Sequence, residues 1–141
     1  MAIHFHTMDV DYALRHKNAL KRWIKDCVLA ENRTIKSVQV IFCSDGYLLE
    51  INRQFLQHDD YTDIITFDYG TKASISGDIF ISLERVFDNA SQFQQRTEVE
   101  LYRVVIHGFM HLCGYKDKSK SDEKTMRAKE DACLKKLSKY I

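Results

Sequence analysis

The run Thr97-Glu98-Val99-Glu100-Leu101-Tyr102-Arg103-Val104-Val105-Ile106-His107-Gly108-Phe109-Met110-His111-Leu112-Cys113-Gly114 decides the fold. Drawn as an α-helix, it places Val99, Leu101, Tyr102, Val104, Val105, Ile106, Phe109 and Met110 on nearly every side, which predicts a helix buried at the centre of the molecule. Thr97, with Glu100 three residues on, reads as a capping box at its start. Gly114 is placed to end it in a left-handed conformation.

Two imidazoles stand inside this apolar helix. At about 100° per residue, His107 and His111 are separated by roughly 40° and project from one face. Beyond the Gly114 stop the chain can turn back and bring the carboxylate of Asp117 to that face. Two imidazoles and a carboxylate, with the remaining positions open, are the donor set of a catalytic divalent-metal site, so His107, His111 and Asp117 are the expected ligands. A lone histidine on an apolar helix is ordinarily a hydrogen-bonded core residue; here the pair, the stop and the acid together point to metal. In the zinc-protease motif the residue after the first histidine is the glutamate that acts as general base. Here it is Gly108, so the spacing fits a metal but that peptidase chemistry lacks its base.

Working outward, residues 2–7 alternate Ile3 and Phe5 with His4 and His6 and predict a first strand. Asp9 or Asp11 is placed to cap a helix running to about residue 30, with Leu14, Leu20, Trp23, Ile24, Cys27 and Val28 inward. Residues 37–43 predict a second strand, with Val38, Val40 and Phe42 on one face and Ile41 opposite. A helix is expected from Asp45 to about Leu56. Residues 63–68 and 77–82 then form a hairpin-like pair around a polar loop, 69–76. Helices follow over residues 83–93, from Thr97, and from Ser121 to about Tyr140. The order βαβαββααα predicts a single α+β domain over 1–141: a small mixed sheet of about four strands under about five helices, with the metal site at the end of the buried central helix.

Composition sets the broad class. Hydrophobic residues make up 45 % and charged residues 29 %, as in ordinary globular proteins. No apolar run approaches the roughly 20 residues needed to cross a bilayer, and the N-terminus lacks a signal-peptide pattern, so the expectation is a cytoplasmic protein with no membrane partner. Cys27, Cys43, Cys113 and Cys133 are too scattered for a disulfide framework or a thiolate zinc site and read as small buried hydrophobes. Net charge is +1, but it is unevenly spread. Residues 1–36 carry seven Lys/Arg against four Asp/Glu, residues 114–141 nine against five, and residues 37–113 five against eleven. Basic ends flanking an acidic, metal-competent centre would steer an RNA strand by its phosphates.

The run His107-Gly108-x-x-His111-Leu112-x-Gly114-Tyr115 resembles the signature of the YbeY family, bacterial metal-dependent endoribonucleases and rRNA maturation factors. Ile51-Asn52, Phe55, Asp59, Thr62-Asp63-Ile64-Ile65-Thr66-Phe67, then Gly77-Asp78-Ile79 with Ile81-Ser82, and finally Met126 and Glu130 extend the likeness from about residue 50 to 134. The resemblance implies an α+β hydrolase domain, one zinc ion per chain, and a role in maturation and quality control of ribosomal RNA. His107 and His111 fall on its first two ligands; the third, usually histidine, is Asp117 here. The family's arginine after the aromatic of the Asn block is Leu56, and the proline before the Thr-Asp pair is Tyr61. A carboxylate ligand makes the metal a weaker Lewis acid and brings Mn²⁺ or Fe²⁺ into range beside Zn²⁺. Losing the arginine removes a phosphate clamp, for which Arg53 and His58 are the nearby substitutes.

The function expected is therefore a zinc-dependent endoribonuclease acting on single-stranded rRNA, with metal-activated water cleaving phosphodiesters. Its partners would be ribosomal RNA, the small ribosomal subunit and its proteins, and the chain is expected to be a monomer. No side chain announces itself as general base; Asp63 and Asp78 are possible cleft residues, and His4, His6, His16 and His58 read as surface. The alternative is a non-catalytic ribosome assembly factor with a structural zinc. A non-haem iron oxygenase uses the same ligand types, but nothing in the sequence would bind its co-substrate acid.

Overall fold

Parallel pairing of the first two strands across a helix sets the architecture of the computed structural model, which describes residues 2–56 and 62–141. The elements are β1 (Ala2–Thr7), α1 (Lys17–Leu29), β2 (Thr34–Cys43), α2 (Asp45–Leu56), β3 (Ile64–Asp68), β4 (Ser74–Ser82), α3 (Leu83–Gln92), α4 (Thr97–Leu112) and α5 (Lys120–Lys136), with a 3₁₀ turn at Leu137–Lys139. The sheet order is β1-β2-β4-β3. β1 and β4 both run parallel to β2, and β3 closes the edge antiparallel to β4. This is the mixed four-stranded α+β fold that the element order predicts.

Alternation along the strands builds two apolar layers. Val38, Val40 and Phe42 of β2 and Ile75, Ile79 and Ile81 of β4 pack with α1 and α4 into the main core, where Trp23, Ile106, Phe109 and Met110 are fully buried. The opposite face carries Cys43, Leu48, Ile51 and Ile65, with Phe67 and Phe80 against them. The buried Trp23 indole donates to the Cys133 carbonyl (2.7 Å), tying α1 to α5. The four cysteines are free; Cys27, Cys43 and Cys133 are buried and Cys113 half-buried.

Local departures from the sequence reading have physical causes. α1 begins at Lys17, not near Asp9 or Asp11. Asp9 and His16 both take left-handed backbone (φ 51° and 61°), which an α-helix cannot continue. The Asp9 carboxylate instead accepts from the Ser44 backbone N–H (3.0 Å) and hydroxyl (2.6 Å), joining the exit of β1 to the start of α2. β2 and β4 start three residues earlier than the apolar pattern suggests, because Thr34 and Ser74 pair with each other. At the start of α4 the cap position is Arg96; Thr97 is the first helical residue and no side chain caps the turn. The capping box is found on α5, where Ser119 and Asp122 bond each other's backbone N–H.

Gly108 explains how α4 lies so close to the sheet. A Cβ there would stand 2.9 Å from Ile79 Cγ2 and 3.0 Å from Ile64 Cδ1. Gly114 ends α4 with φ 106°, the left-handed stop read from the sequence.

Candidate metal centre

One face of α4 forms the floor of a cleft of about 860 Å³, presenting Glu100, Arg103, Val104, His107 and His111. These positions repeat at helical spacing, so a single face carries them all. α5 borders the cleft with Lys120, Glu123, Lys124, Met126, Arg127 and Glu130; the start of β3 adds Thr62, Asp63 and Ile64, and the end of α3 adds Asn89 and Phe93.

The two histidines lie edge to face, with ring centroids 4.5 Å apart. His107 Nδ1 donates to Glu130 Oε2 (2.6 Å), and His111 Nδ1 donates to the Tyr115 carbonyl (2.9 Å). A carboxylate and a carbonyl can only accept, so the proton of each neutral ring sits on Nδ1 and the Nε2 lone pair is left free. Both Nε2 atoms face the same oxygen, Asp117 Oδ2, each at 3.3 Å.

That separation is long for a hydrogen bond. It is close to the roughly 3.3–3.4 Å between two donors on a tetrahedron whose bonds are about 2.0–2.1 Å, the zinc–nitrogen and zinc–oxygen range. One ligand atom from each of His107, His111 and Asp117 lies within 4.8 Å of the others. Partners that orient the outer nitrogen of each imidazole are what a metal-ligating histidine needs. The donor set therefore fits one divalent cation with an open position.

Charge around the cluster is shared through Glu130. This buried carboxylate also accepts from Arg103 (2.9 Å), whose second nitrogen donates to Asp131 (2.8 Å). Burial raises the Glu130 pKa, but His107 and Arg103 outweigh it and hold the group below the usual carboxylate range. Burial likewise lowers His107, yet Glu130, then Asp117 and Asp63, bring it above its ordinary value. Asp63 is pushed up by burial, against the nearby His107. Glu100 is pushed up by burial, against Arg103 and Arg127. The lining thus holds five carboxylates (Asp63, Glu100, Asp117, Glu123, Glu130) against four cations (Arg103, Lys120, Lys124, Arg127). A divalent cation would reverse that balance, as an anionic substrate requires.

Asp63 reaches the cleft, whereas Asp78 accepts from the Tyr69 hydroxyl (3.2 Å) beside a separate aromatic hollow. Leu56 ends α2 exposed, and Arg53 pairs with Glu50 at 2.9 Å. His4, His6 and His16 lie on the surface. His58, Asp59 and Tyr61 fall outside the described residues. Sequence reasoning missed the ion pairs of Arg103 with Glu130 and Asp131 and the contact of Glu130 with His107, 23 residues away. The available signal was a glutamate on the buried stripe of α5 between Met126 and Cys133. No helix among the described residues is long and apolar enough to cross a membrane.

Comparison with known proteins places the chain among relatives over nearly its whole length. A family model described as "Endoribonuclease YbeY" matches residues 3–138. The "Endoribonuclease YbeY" of Flavobacterium psychrophilum is 50% identical over 127 residues, covering 90% of this chain and 91% of that one. That of Cytophaga hutchinsonii is 49% identical over 133 residues, with 94% and 93% covered. The solution structure of a Thermotoga maritima protein superposes with a TM-score of 0.70 at 29% identity, covering 96% of this chain and 88% of the other.

Proposed function

The chain belongs to the YbeY endoribonuclease family, and on that premise we propose that it cuts single-stranded segments of ribosomal RNA during ribosome maturation and quality control. The reading takes the whole of 1–141 as the catalytic unit, working as a monomer in the cytoplasm with the small ribosomal subunit as its setting. The observation that carries it is the convergence of His107 Nε2 and His111 Nε2 on Asp117 Oδ2 in a cleft open to solvent. An exposed edge of this kind suits a catalytic site better than a closed structural one.

His107, His111 and Asp117 would hold the cation, with zinc the first choice for this donor set and Mn²⁺ or Fe²⁺ compatible with its carboxylate. When bound, the metal supplies Lewis acidity towards a phosphoryl oxygen and lowers the pKa of water. Glu130 and the Tyr115 carbonyl keep the protons on the two Nδ1 atoms, so both rings present lone pairs to the cleft. Arg103 holds Glu130 ionised for that task. Lys120, Lys124 and Arg127 stand at the cleft edge, where the phosphates of a strand would meet positive charge. They take the part that Leu56 cannot.

The test is cleavage of a single-stranded rRNA fragment by wild type and His111→Ala, purified side by side, each with and without added zinc. Zinc-dependent cutting by wild type that the variant lacks is the expected result. Equal or absent cutting in both would sink the nuclease reading in favour of a non-catalytic ribosome-binding factor.

A further inference from the structure

Phe93 is 64% exposed, yet it borders the cleft that holds the ligand cluster. Scattered exposed aromatics are ordinary on protein surfaces; one at the mouth of a polar, charge-lined cleft is not explained by packing. One helical turn earlier, Asn89 borders the same cleft, and the Phe93 backbone N–H closes that turn on the Asn89 carbonyl (3.0 Å). The spacing of four residues puts both side chains on one face of the α3 end. No side-chain hydrogen bond of Asn89 is present among the described residues, so its amide has a donor and an acceptor to offer. On α5, Lys120, Lys124 and Arg127 follow at steps of four and three and face the same space. None of the three forms an ion pair among the described residues.

We infer that the end of α3 is a nucleobase subsite: an unpaired base stacks on the Phe93 ring and meets the Asn89 amide with its edge, while the α5 cations hold the backbone phosphates of the same strand. This rests on the ribonuclease reading above and deepens it by assigning how the strand is gripped. An aromatic platform beside a run of cations is the general means of holding single strands without strong sequence preference. A paired base has both faces covered by its neighbours and its edge engaged, so the subsite admits single strands and refuses duplex. The specificity resides in a side chain that is not one of the candidate metal ligands and that is 64% exposed.

Fluorescence anisotropy with zinc-loaded protein tests it, using a labelled single-stranded oligoribonucleotide and an abasic strand of the same length, with cutting followed on gels in parallel. Phe93→Ala should weaken binding of the base-bearing strand by about tenfold, leave the abasic strand unchanged, and be restored by Phe93→Trp. Arg127→Ala should weaken both strands alike and lower the salt slope by about 0.7. Phe93→Ala binding within twofold of wild type, or equal weakening for both strands, overturns the subsite. If that happens while wild type still binds and cuts, the nuclease reading stands alone; a wild type that neither binds nor cuts removes both.

Discussion

Glu130 on α5 accepts from His107 on α4 at 2.6 Å while also receiving Arg103 at 2.9 Å, so one buried carboxylate orients an imidazole and neutralises a guanidinium. The contact exists only because α5 packs against α4. It converts the Met126, Glu130 and Cys133 stripe of a surface helix into support for the face that carries the candidate ligands.

Glu130→Gln keeps the shape and removes the charge. Zinc affinity, read by competition with a chromophoric chelator, should fall about ten- to a hundredfold, as for other partners of ligating histidines. Affinity within twofold of wild type would show that the Glu130 contact is structural alone.

Asp117 is 44% exposed, so it adds little to the fold by itself. Zinc should raise the melting temperature of wild type, since a ligand that binds only the native state stabilises it. In Asp117→Ala that increment should shrink, while the metal-free melting temperatures of the two proteins stay close. An equal zinc increment in both would exclude Asp117 as a ligand.

Gly108→Ala sets two effects against each other. Helix propensity favours alanine by about 1 kcal/mol. Against it, the new methyl meets the branched Ile79 side chain at 2.9 Å in a packed core, where overpacking costs about 1–3 kcal/mol. The expected net loss is about 1 kcal/mol, seen as a lower urea midpoint at unchanged m-value. A gain in stability would mean that Ile79 moves aside freely.

Asp45, in the first turn of α2, accepts from Arg85 at 2.7 Å and from the Ser82 hydroxyl at 2.9 Å. Burial raises its pKa, but these partners outweigh burial and leave it below its ordinary value of 3.8. A carboxylate depressed in the folded state stabilises fully above its unfolded pKa, and that contribution is lost as pH falls through the folded one. Asp45→Asn should therefore be less stable than wild type at pH 7, with the gap closing as pH drops below about 4. A gap that is constant across this range in urea denaturation would refute the linkage.

Local patterns determined most of the architecture. The period of the α4 run predicts a buried central helix, the alternation at Val38, Val40 and Phe42 marks a strand with one face in the main core, and Gly114 supplies the left-handed stop. The four-residue step from His107 to His111 was equally legible, because helix geometry alone aligns the two rings. Asp117 is close enough in sequence for a turn-back to be anticipated from the glycine. All of these are short-range consequences of backbone periodicity.

Tertiary packing decided the rest. The Asp9 carboxylate has two local uses open to it, a helix cap or a loop bond, and only the approach of Ser44 selects the second. Thr97 and Glu100 satisfy a capping pattern, yet Glu100 is drawn into the cleft face beside Arg103. Arg103, Glu130, Phe93 and Arg127 share one cleft because α3, α4 and α5 stack, and no spacing along the chain encodes that. Periodicity tells which face of an element is apolar; which partner covers that face, and which polar groups are thereby brought within bonding distance, depends on how all the elements bury their surfaces together.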